Sequence, residues 1–240
     1  MDNKVKDYII KHPDFSTGEF IIEMKHENSN MARATAYKRL KELLDSEEIV
    51  RIGRGSYARV TKRHYDYCLS TTAKSISLLI KNTYPLAKFQ IWELNQMNEF
   101  INHHIEQNTI VLDVENKFED PIFRLLFEKY THVLYKPSYK EYCKYSGQET
   151  IVVKNLISEA PTTRDALCLA PLEKILVDLF CKGISGSIVP QSECKVILES
   201  CFENYIINIS MMFRYARRRG QENKIKEFIR DNTSIKLEGE

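Results

Sequence analysis

The sequence predicts a mixed α+β and α/β fold, in which an N-terminal winged helix-turn-helix precedes a larger α/β domain with a C-terminal helical cap. Residues 31–63 read as a basic amphipathic helix followed by a hairpin with a Gly-Arg-Gly turn. From about residue 66 onward, helical and extended segments alternate. At 240 residues the chain is long enough for two domains, which we place at residues 1–64 and 65–240.

The first helix of the N-terminal motif is a supporting helix that starts at a capping box. Ser16 to Glu19 has the S-x-x-E form, and the apolar segment Phe20 to Met24 follows it. Glu27 to Asn30 is expected to form the turn before the next helix, with Ser29 or Asn30 as the N-cap.

The second helix is expected to have one buried stripe and one polar, mostly basic face. The stripe follows helical spacing and consists of Ala32, Ala36, Leu40, Leu43 and Leu44. The face that points away from it carries Ala34, Lys38 and Lys41, with Thr35 and Tyr37 on its flanks. Small, hydroxyl and cationic side chains of this kind suit a DNA major groove.

The hairpin follows this helix. Segments 49–52 and 56–60 are rich in β-branched and aromatic residues, and Gly53-Arg54-Gly55 joins them. Arg51 and Arg59 lie on the strands and Arg54 lies at the tip. Three guanidinium groups can therefore straddle a phosphate backbone or enter a minor groove.

Basic charge is concentrated in this segment. Residues 31–63 hold nine Lys or Arg against four acids, a local charge of +5, whereas the whole chain carries +2. This predicts double-stranded DNA as a partner. The bases would be approached by Thr35, Tyr37 and Lys38, and the phosphates by Arg33, Lys41, Arg51, Arg54 and Arg59. The alternative is a solvated helix face, since most lysines and arginines on helices do nothing specific.

The second domain is predicted from its alternation of helical and extended segments. In chain order we expect helix 70–79, strand 88–92, helix 94–102, strand 109–114, a helix with Pro121 in its first turn, strand 132–135, a central strand at 150–153, helix 170–180 with Pro171 at its first position, and three closing helices at 193–205, 209–219 and 223–230.

Catalytic motifs are missing from the sequence. It has no Gly-x-Gly-x-x-Gly, no phosphate-loop Gly-Lys-Ser/Thr and no His-Glu-x-x-His, and no nucleophile lies beside an identifiable base. We therefore expect no enzymatic activity, no cofactor and no metal. Asp113 and Glu115 alternate on one strand and could hold a metal, but solvated carboxylates at a strand end are favoured. The pair His103-His104 is expected at the surface.

The charged residues of the late helices are expected to have structural roles. Asp178 can pair with Lys174 one turn away, and Glu173 is expected to lie exposed at the start of its helix. The cluster from Arg214 to Arg219 is either a second phosphate or partner surface, or a solvated helix end that offsets the helix dipole. We favour the second interpretation.

Composition predicts the cellular location. The chain has no run of 18 apolar residues, and its N-terminus has no apolar signal core, so we expect a cytoplasmic protein without a membrane span. Six cysteines are scattered without a Cys-x-x-Cys pair, which predicts buried free thiols rather than a zinc site.

Two motifs together resemble the AbiEi-like antitoxins of type IV toxin-antitoxin systems. Residues 51–57 match that family's Arg-x-Gly-x-Gly-x-Tyr wing, and residues 171–179 match its Pro-x-Glu-Lys-x-Leu-x-Asp-Leu helix. The resemblance covers most of the chain. It implies a winged helix that represses the protein's own operon by binding inverted repeats. It also implies a second domain that counters a nucleotidyltransferase-like toxin without forming a stable complex.

Two other functions stay open on the sequence. The large domain could be a nucleotide-directed enzyme or ligand sensor, with the winged helix as an accessory docking module, and a deep cleft would favour this. The protein could instead be an interaction scaffold, although the local charge of +5 argues for DNA.

Overall fold

A computed structural model describes residues 3–27, 32–46, 48–60, 62–101, 104–163 and 165–237. The chain is a mixed α and β structure with two sheets, and it divides into two compact units. The first unit holds the described residues up to Tyr65 together with Phe202–Met211, and the second holds Asp66–Cys201 and the residues from Met212 onward. The return of 202–211 to the first unit is not part of the division drawn from the sequence.

The first unit packs helices against a three-stranded antiparallel sheet of order β1-β3-β2. Its elements are α1 (Asn3–Lys11), β1 (Asp14–Ser16), α2 (Thr17–Glu27), α3 (Arg33–Asp45), β2 (Ile49–Gly53) and β3 (Ser56–Arg59). The predicted hairpin and the predicted capping box are both confirmed. The Ser16 backbone N–H donates to Glu19 Oε2 at 2.6 Å, and the Glu19 N–H donates to Ser16 Oγ at 3.2 Å.

Aromatic residues fill the core of the first unit. The Phe15 ring stacks on Phe20 and on Tyr57, with centroids 5.6 and 5.8 Å apart. Helix α1 and strand β1 were not predicted, although Val5, Tyr8 and Ile9 have the i, i+3, i+4 spacing of a buried helix face. This spacing is the sequence signal that could have found α1.

The predicted second helix needs one correction at its start. Ala32 was placed in the buried stripe, but it is exposed and is the N-cap residue, with an extended backbone and no side-chain hydrogen bond to the helix. The proposed turn and its N-caps Ser29 and Asn30 lie outside the described residues. The buried stripe is Ala36, Leu40 and Leu43, with Leu44 half-buried.

The second unit is built on a four-stranded sheet of order β4-β5-β7-β6, in which only β4 runs antiparallel to its neighbour. Its strands are β4 (Phe89–Glu93), β5 (Asn108–Val114), β6 (Val133–Tyr135) and β7 (Glu149–Asn155). Its helices are α4 (Thr71–Thr83), α5 (Glu119–Phe127), α6 (Tyr139–Tyr145), α7 (Leu172–Leu179), α8 (Ile184–Ile188) and α11 (Glu222–Asn232). Two further helices, α9 (Cys194–Asn204) and α10 (Ile209–Arg218), each have residues in both units. Strand β7 is interior, as predicted.

The two faces of this sheet differ in polarity. One face contributes Ile91, Leu112 and Val153 to the apolar core that also contains residues of α4 and α5. The opposite face carries a polar row, because the register pairs Gln90 with Asp113 and Asp113 with Lys154 across three strands. All three residues therefore lie side by side on one face.

Several predicted elements differ in detail. The expected helix 94–102 is a shorter 3₁₀ helix, Leu94–Glu99, and a second short one spans Gln191–Glu193. Pro171 is the N-cap of α7 rather than its first helical residue. Helices α6 and α8 were not predicted. Within the described part of the chain, no helix is both long enough and apolar enough to cross a membrane.

Candidate nucleic-acid interface and a buried charge network

Helix α3 presents its predicted contact residues to solvent. Because Ala36, Leu40 and Leu43 are at most 2% exposed, the opposite side of the helix must face outward. The residues of α3 predicted to contact DNA are all exposed: Arg33, Thr35, Tyr37, Lys38 and Lys41. The structure therefore brings them together along one exposed surface.

The cationic groups of this face are weakly engaged within the helix. Lys38 Nζ lies 4.0 Å from Glu42 Oε1, and the two side chains are 78% and 53% exposed. Exposed i,i+4 pairs of this kind contribute only about 0.3–0.5 kcal/mol. Lys38 can therefore leave Glu42 for a base or a phosphate at little cost.

The hairpin tip is fixed by a contact with helix α2. Both the backbone N–H and the hydroxyl of Thr17 donate to the carbonyl oxygen of Gly55, at 2.7 and 3.0 Å. Gly55 has a φ of 79°, which glycine adopts without strain. The exposed Arg54 is thus displayed on a turn whose position is set by the start of α2.

Arg51 and Arg59, which lie on the strands of the hairpin, have different surroundings from Arg54 at the turn. The register pairs Ile49 with Arg59 and Arg51 with Tyr57, which places both arginines on the sheet face whose Ile49 and Tyr57 enter the core. Arg59 is half-buried, and exposed Arg51 donates through Nε to its own turn, at Gly53 O. Arg51 and Arg59 therefore lie along the strands of the hairpin, whereas Arg54 lies at its tip.

Two further basic residues counted in the local charge have partners within the first unit. Lys62 Nζ lies 3.9 Å from Asp14 Oδ2. Arg63 donates to the Tyr205 hydroxyl at 2.7 Å, and its guanidinium carbon lies 4.9 Å from the centre of the Tyr205 ring. Part of the local positive charge therefore holds the unit together.

A network of buried charges lies between the polar sheet face and the helices of the second unit. At its centre, Lys174 Nζ donates to Asp113 Oδ2 at 2.6 Å and to Asp178 Oδ2 at 2.7 Å. These three side chains are at most 1% exposed. Ionised groups in such a position need partners on every side.

Strand β7 and the end of helix α10 complete this network. Lys154 Nζ lies 3.1 Å from Asp113 Oδ1 and donates to Ser185 Oγ at 3.0 Å. Asp178 Oδ1 accepts from the Tyr215 hydroxyl at 3.0 Å and from Arg219 Nη1 at 2.9 Å. Three cations therefore meet two carboxylates, which leaves the network with a net positive charge.

The pKa values in the network move toward the charged forms. Burial alone would lower the pKa of the Lys174 ammonium, but the carboxylates of Asp113 and Asp178 raise it above its ordinary value. Burial alone would raise the pKa of Asp178, but the cations of Lys154, Lys174 and Arg219 bring it well below its ordinary value. Both Lys174 and Asp178 are therefore ionised at neutral pH.

The structure corrects two expectations and part of a third. Asp113 was expected to be solvated, Glu173 exposed and the Arg214–Arg219 cluster a solvated helix end. Asp113 is 1% exposed and Glu173 is 8% exposed. Within the cluster, Arg214, Arg217 and Arg218 are exposed as expected, whereas half-buried Arg219 is paired with buried Asp178. Helix α7 is buried along its whole length, so it has no solvent face on which Glu173 could lie. The predicted Lys174–Asp178 pair is confirmed.

Lys154 and Tyr215 were not predicted from the sequence because their partners are distant in the chain. Lys154 ends an otherwise apolar, β-branched run, and Tyr215 follows the buried Met212 and Phe213 on α10. A charged or hydroxyl group that continues a buried pattern requires a polar partner in the core. This is the signal that could have indicated both residues.

The described cysteines and potential metal ligands show no further site. No group of three or more histidine, cysteine or acidic side chains is arranged around a metal position in the ranges that the structure describes. The expectation of buried thiols is wrong for Cys68 and Cys143, which are exposed. Burial raises the pKa of Cys194 to about 11, so this thiol stays protonated. His103 lies outside the described residues, and His104 is exposed.

Comparison with known proteins gives one family. The model described as "Family of unknown function (DUF6577)" matches residues 35–235, which include most of α3, the hairpin and nearly all of the second unit. A search of curated proteins gives no match. Because the match covers most of the chain, the protein belongs to the DUF6577 family.

Proposed function

We propose that the protein is a cytoplasmic, non-enzymatic transcriptional regulator whose first unit binds double-stranded DNA as a winged helix-turn-helix. Helix α3 is the recognition helix, and the β2-β3 hairpin is the wing. The observation that carries the proposal is the exposed basic face of α3, in a unit whose hairpin displays Arg54 at its tip.

The order of elements supports this assignment. A supporting helix, a recognition helix and a hairpin follow one another as α2, α3 and β2-β3. Thr35, Tyr37 and Lys38 lie on the exposed surface that would enter a major groove. Arg33 and Lys41 lie on that same surface and would contact the phosphates beside it.

The wing supports it in a second way. Arg54 is exposed at a tip that Thr17 holds by two hydrogen bonds to Gly55. A cation on a fixed turn loses little conformational freedom when it meets a phosphate. Arg51 and Arg59 would extend the phosphate contact along the strands.

The resemblance to AbiEi-like antitoxins supports a more specific role. In this role the first unit represses its own operon at inverted repeats, and the second unit counters a nucleotidyltransferase-like toxin without a stable complex. The wing motif falls on β2-β3 and the second motif falls on α7. Because Glu173, Lys174 and Asp178 of that motif are buried, they would maintain the fold rather than touch a toxin.

DNA binding can be tested by fluorescence anisotropy with a duplex from upstream of the protein's own gene and with a scrambled duplex. Arg54→Ala is expected to weaken both complexes alike and to reduce the slope of log K against log salt by about one. Lys38→Ala is expected to weaken the specific complex about tenfold more than the scrambled one, because it removes a base contact.

A matched control removes two exposed lysines from the second unit. Lys129→Ala combined with Lys140→Ala lowers the net charge by the same amount as Lys38→Ala with Arg54→Ala, and should leave affinity and salt slope close to the wild type. The proposal fails if the Lys38/Arg54 double variant binds like the wild type, or if the control pair weakens binding equally.

The antitoxin role can be tested by growth of cells that express the product of the gene beside this one, which the proposal expects to be a nucleotidyltransferase-like toxin. Co-expression of the wild-type chain should restore growth. The Lys38→Ala, Arg54→Ala variant should restore it equally well from a heterologous promoter, since neutralisation is assigned to the second unit. Absence of rescue by the wild-type chain would exclude this role while leaving DNA binding intact.

A further inference from the structure

A cavity of about 680 Å³ opens at one edge of the four-stranded sheet. It lies where β5 and β7 end and β4 begins, and it is lined from these three places by Glu115, Asn155 and Gln90. The loop after β7 and Arg218 of α10 form its other walls. In open α/β sheets, ligands bind in the crevice outside the carboxyl ends of parallel strands, and this volume is typical of small-molecule sites.

Two lining residues carry buried hydrogen-bond acceptors without partners. Gln90 is 4% exposed, and its Nε2 donates to Pro161 O at 2.5 Å. Its Oε1 accepts no hydrogen bond from the residues that the structure describes, and the same holds for Asn155 Oδ1. Buried polar atoms usually have partners. A ligand that offers N–H or O–H groups would satisfy these two oxygens.

The loop after β7 has a strained backbone at the cavity. Glu159 has a φ of 63°, a conformation that residues other than glycine rarely adopt. Ser158 of the same loop accepts a hydrogen bond from Arg218 Nε at 2.7 Å, which places the guanidinium at the cavity wall. Strained residues cluster at ligand clamps.

The charge of the cavity favours an anion. Lys88, Lys117 and Arg218 line it against the carboxylates of Glu115 and Glu159. Glu115 is held in place because its Oε1 accepts from the Lys88 backbone N–H at 2.8 Å, and the three cations exceed the two carboxylates by one charge. The buried network, with its excess of one cation, shares the sheet row of Gln90 and adds to the positive field.

From this combination we infer that the cavity binds a nucleoside phosphate. The amide oxygens of Gln90 and Asn155 would accept hydrogen bonds from N–H groups of the base. Arg218 and the lysines would hold the phosphates, as guanidinium and ammonium groups commonly do. The inference concerns the second unit alone and is independent of DNA binding by the first.

The test is isothermal titration calorimetry of the full chain, without DNA, against ATP, GTP, CTP and UTP. At least one nucleotide should bind, while the matching nucleoside and inorganic triphosphate alone should each bind at least tenfold more weakly. Arg218→Ala should weaken the nucleotide about tenfold. Arg214→Ala is the matched control, since it removes the same charge from an exposed position of the same helix outside the cavity lining, and it should bind like the wild type.

Gln90→Met tests the base contact at nearly constant volume. It should weaken the nucleotide about tenfold and leave binding of inorganic triphosphate unchanged. If this variant does not fold, the comparison of Arg218→Ala with Arg214→Ala still tests the inference, because both arginines are exposed. The inference is overturned if no nucleotide binds at millimolar concentration, or if Arg218→Ala binds like Arg214→Ala. The Lys38→Ala, Arg54→Ala variant should bind nucleotide normally. Loss of DNA binding can therefore be distinguished from loss of nucleotide binding.

Discussion

Replacing Lys174 by methionine is expected to lower the free energy of unfolding by about 3–5 kcal/mol. The ammonium lies 2.6 and 2.7 Å from carboxylates of Asp113 and Asp178, and all three side chains are at most 1% exposed. Methionine fills a similar volume but removes the fully buried ammonium that both carboxylates share, at the shortest ion-pair distances in the network. Urea denaturation followed by fluorescence of Trp92, the single tryptophan, reports on this sheet directly.

A second substitution and a control make this result specific. Lys174→Met with Asp113→Asn removes one charge of each sign, so the double variant should be more stable than the sum of the two single losses predicts, by at least about 1 kcal/mol. Lys226→Met breaks an i,i+4 pair with Glu222 whose lysine is 40% exposed, and should cost less than about 0.5 kcal/mol. Equal effects of Lys174→Met and Lys226→Met would refute the importance of burial.

Replacing Gly186 by alanine is expected to destabilise the second unit by about 3 kcal/mol, the upper end of usual overpacking costs. A Cβ at this position in α8 would overlap the backbone oxygen of Cys181 and lie 2.9 Å from that of Leu179. Backbone atoms at the end of α7 cannot rotate away as a flexible side chain can. The same tryptophan-detected denaturation measures the loss.

Ser187→Ala is the control for this prediction, because it changes the next residue of the same short helix without adding an atom. It should change the free energy of unfolding by less than about 0.5 kcal/mol. A Gly186→Ala variant as stable as Ser187→Ala would mean that α8 can move away from Cys181 at no cost, and that the close approach has no structural importance.

Local sequence patterns were sufficient for most of the secondary structure. The β-branched runs before Val114 and Val153 both predicted strands, and the second was predicted to be central because a strand buried on both faces is largely apolar. The S-x-x-E box at Ser16 predicted the start of α2, since its two hydrogen bonds join residues three apart. The short helices α6 and α8 were not predicted, because helices of so few turns carry little periodic signal in the sequence.

The candidate sites were predictable to different degrees. Exposure of Lys38 and Arg54 followed from helical spacing and from a glycine-rich turn, both of which are local. The involvement of Arg63 with Tyr205 was not predictable, because 142 positions separate them. The cavity beside Gln90 was equally hidden, since its walls come from strand ends, a loop and a late helix.

The sequence by itself determined the strand segments other than β1, the amphipathic α3 and the basic hairpin, because each depends on neighbours within a few residues. Only the tertiary structure determined the environment of Asp113. This residue was expected in solvent and lies instead between Lys154 and Lys174. Its environment depends on strand register and on a helix 61 residues away. A charge's surroundings are set by whatever packs over it, and local sequence does not record that.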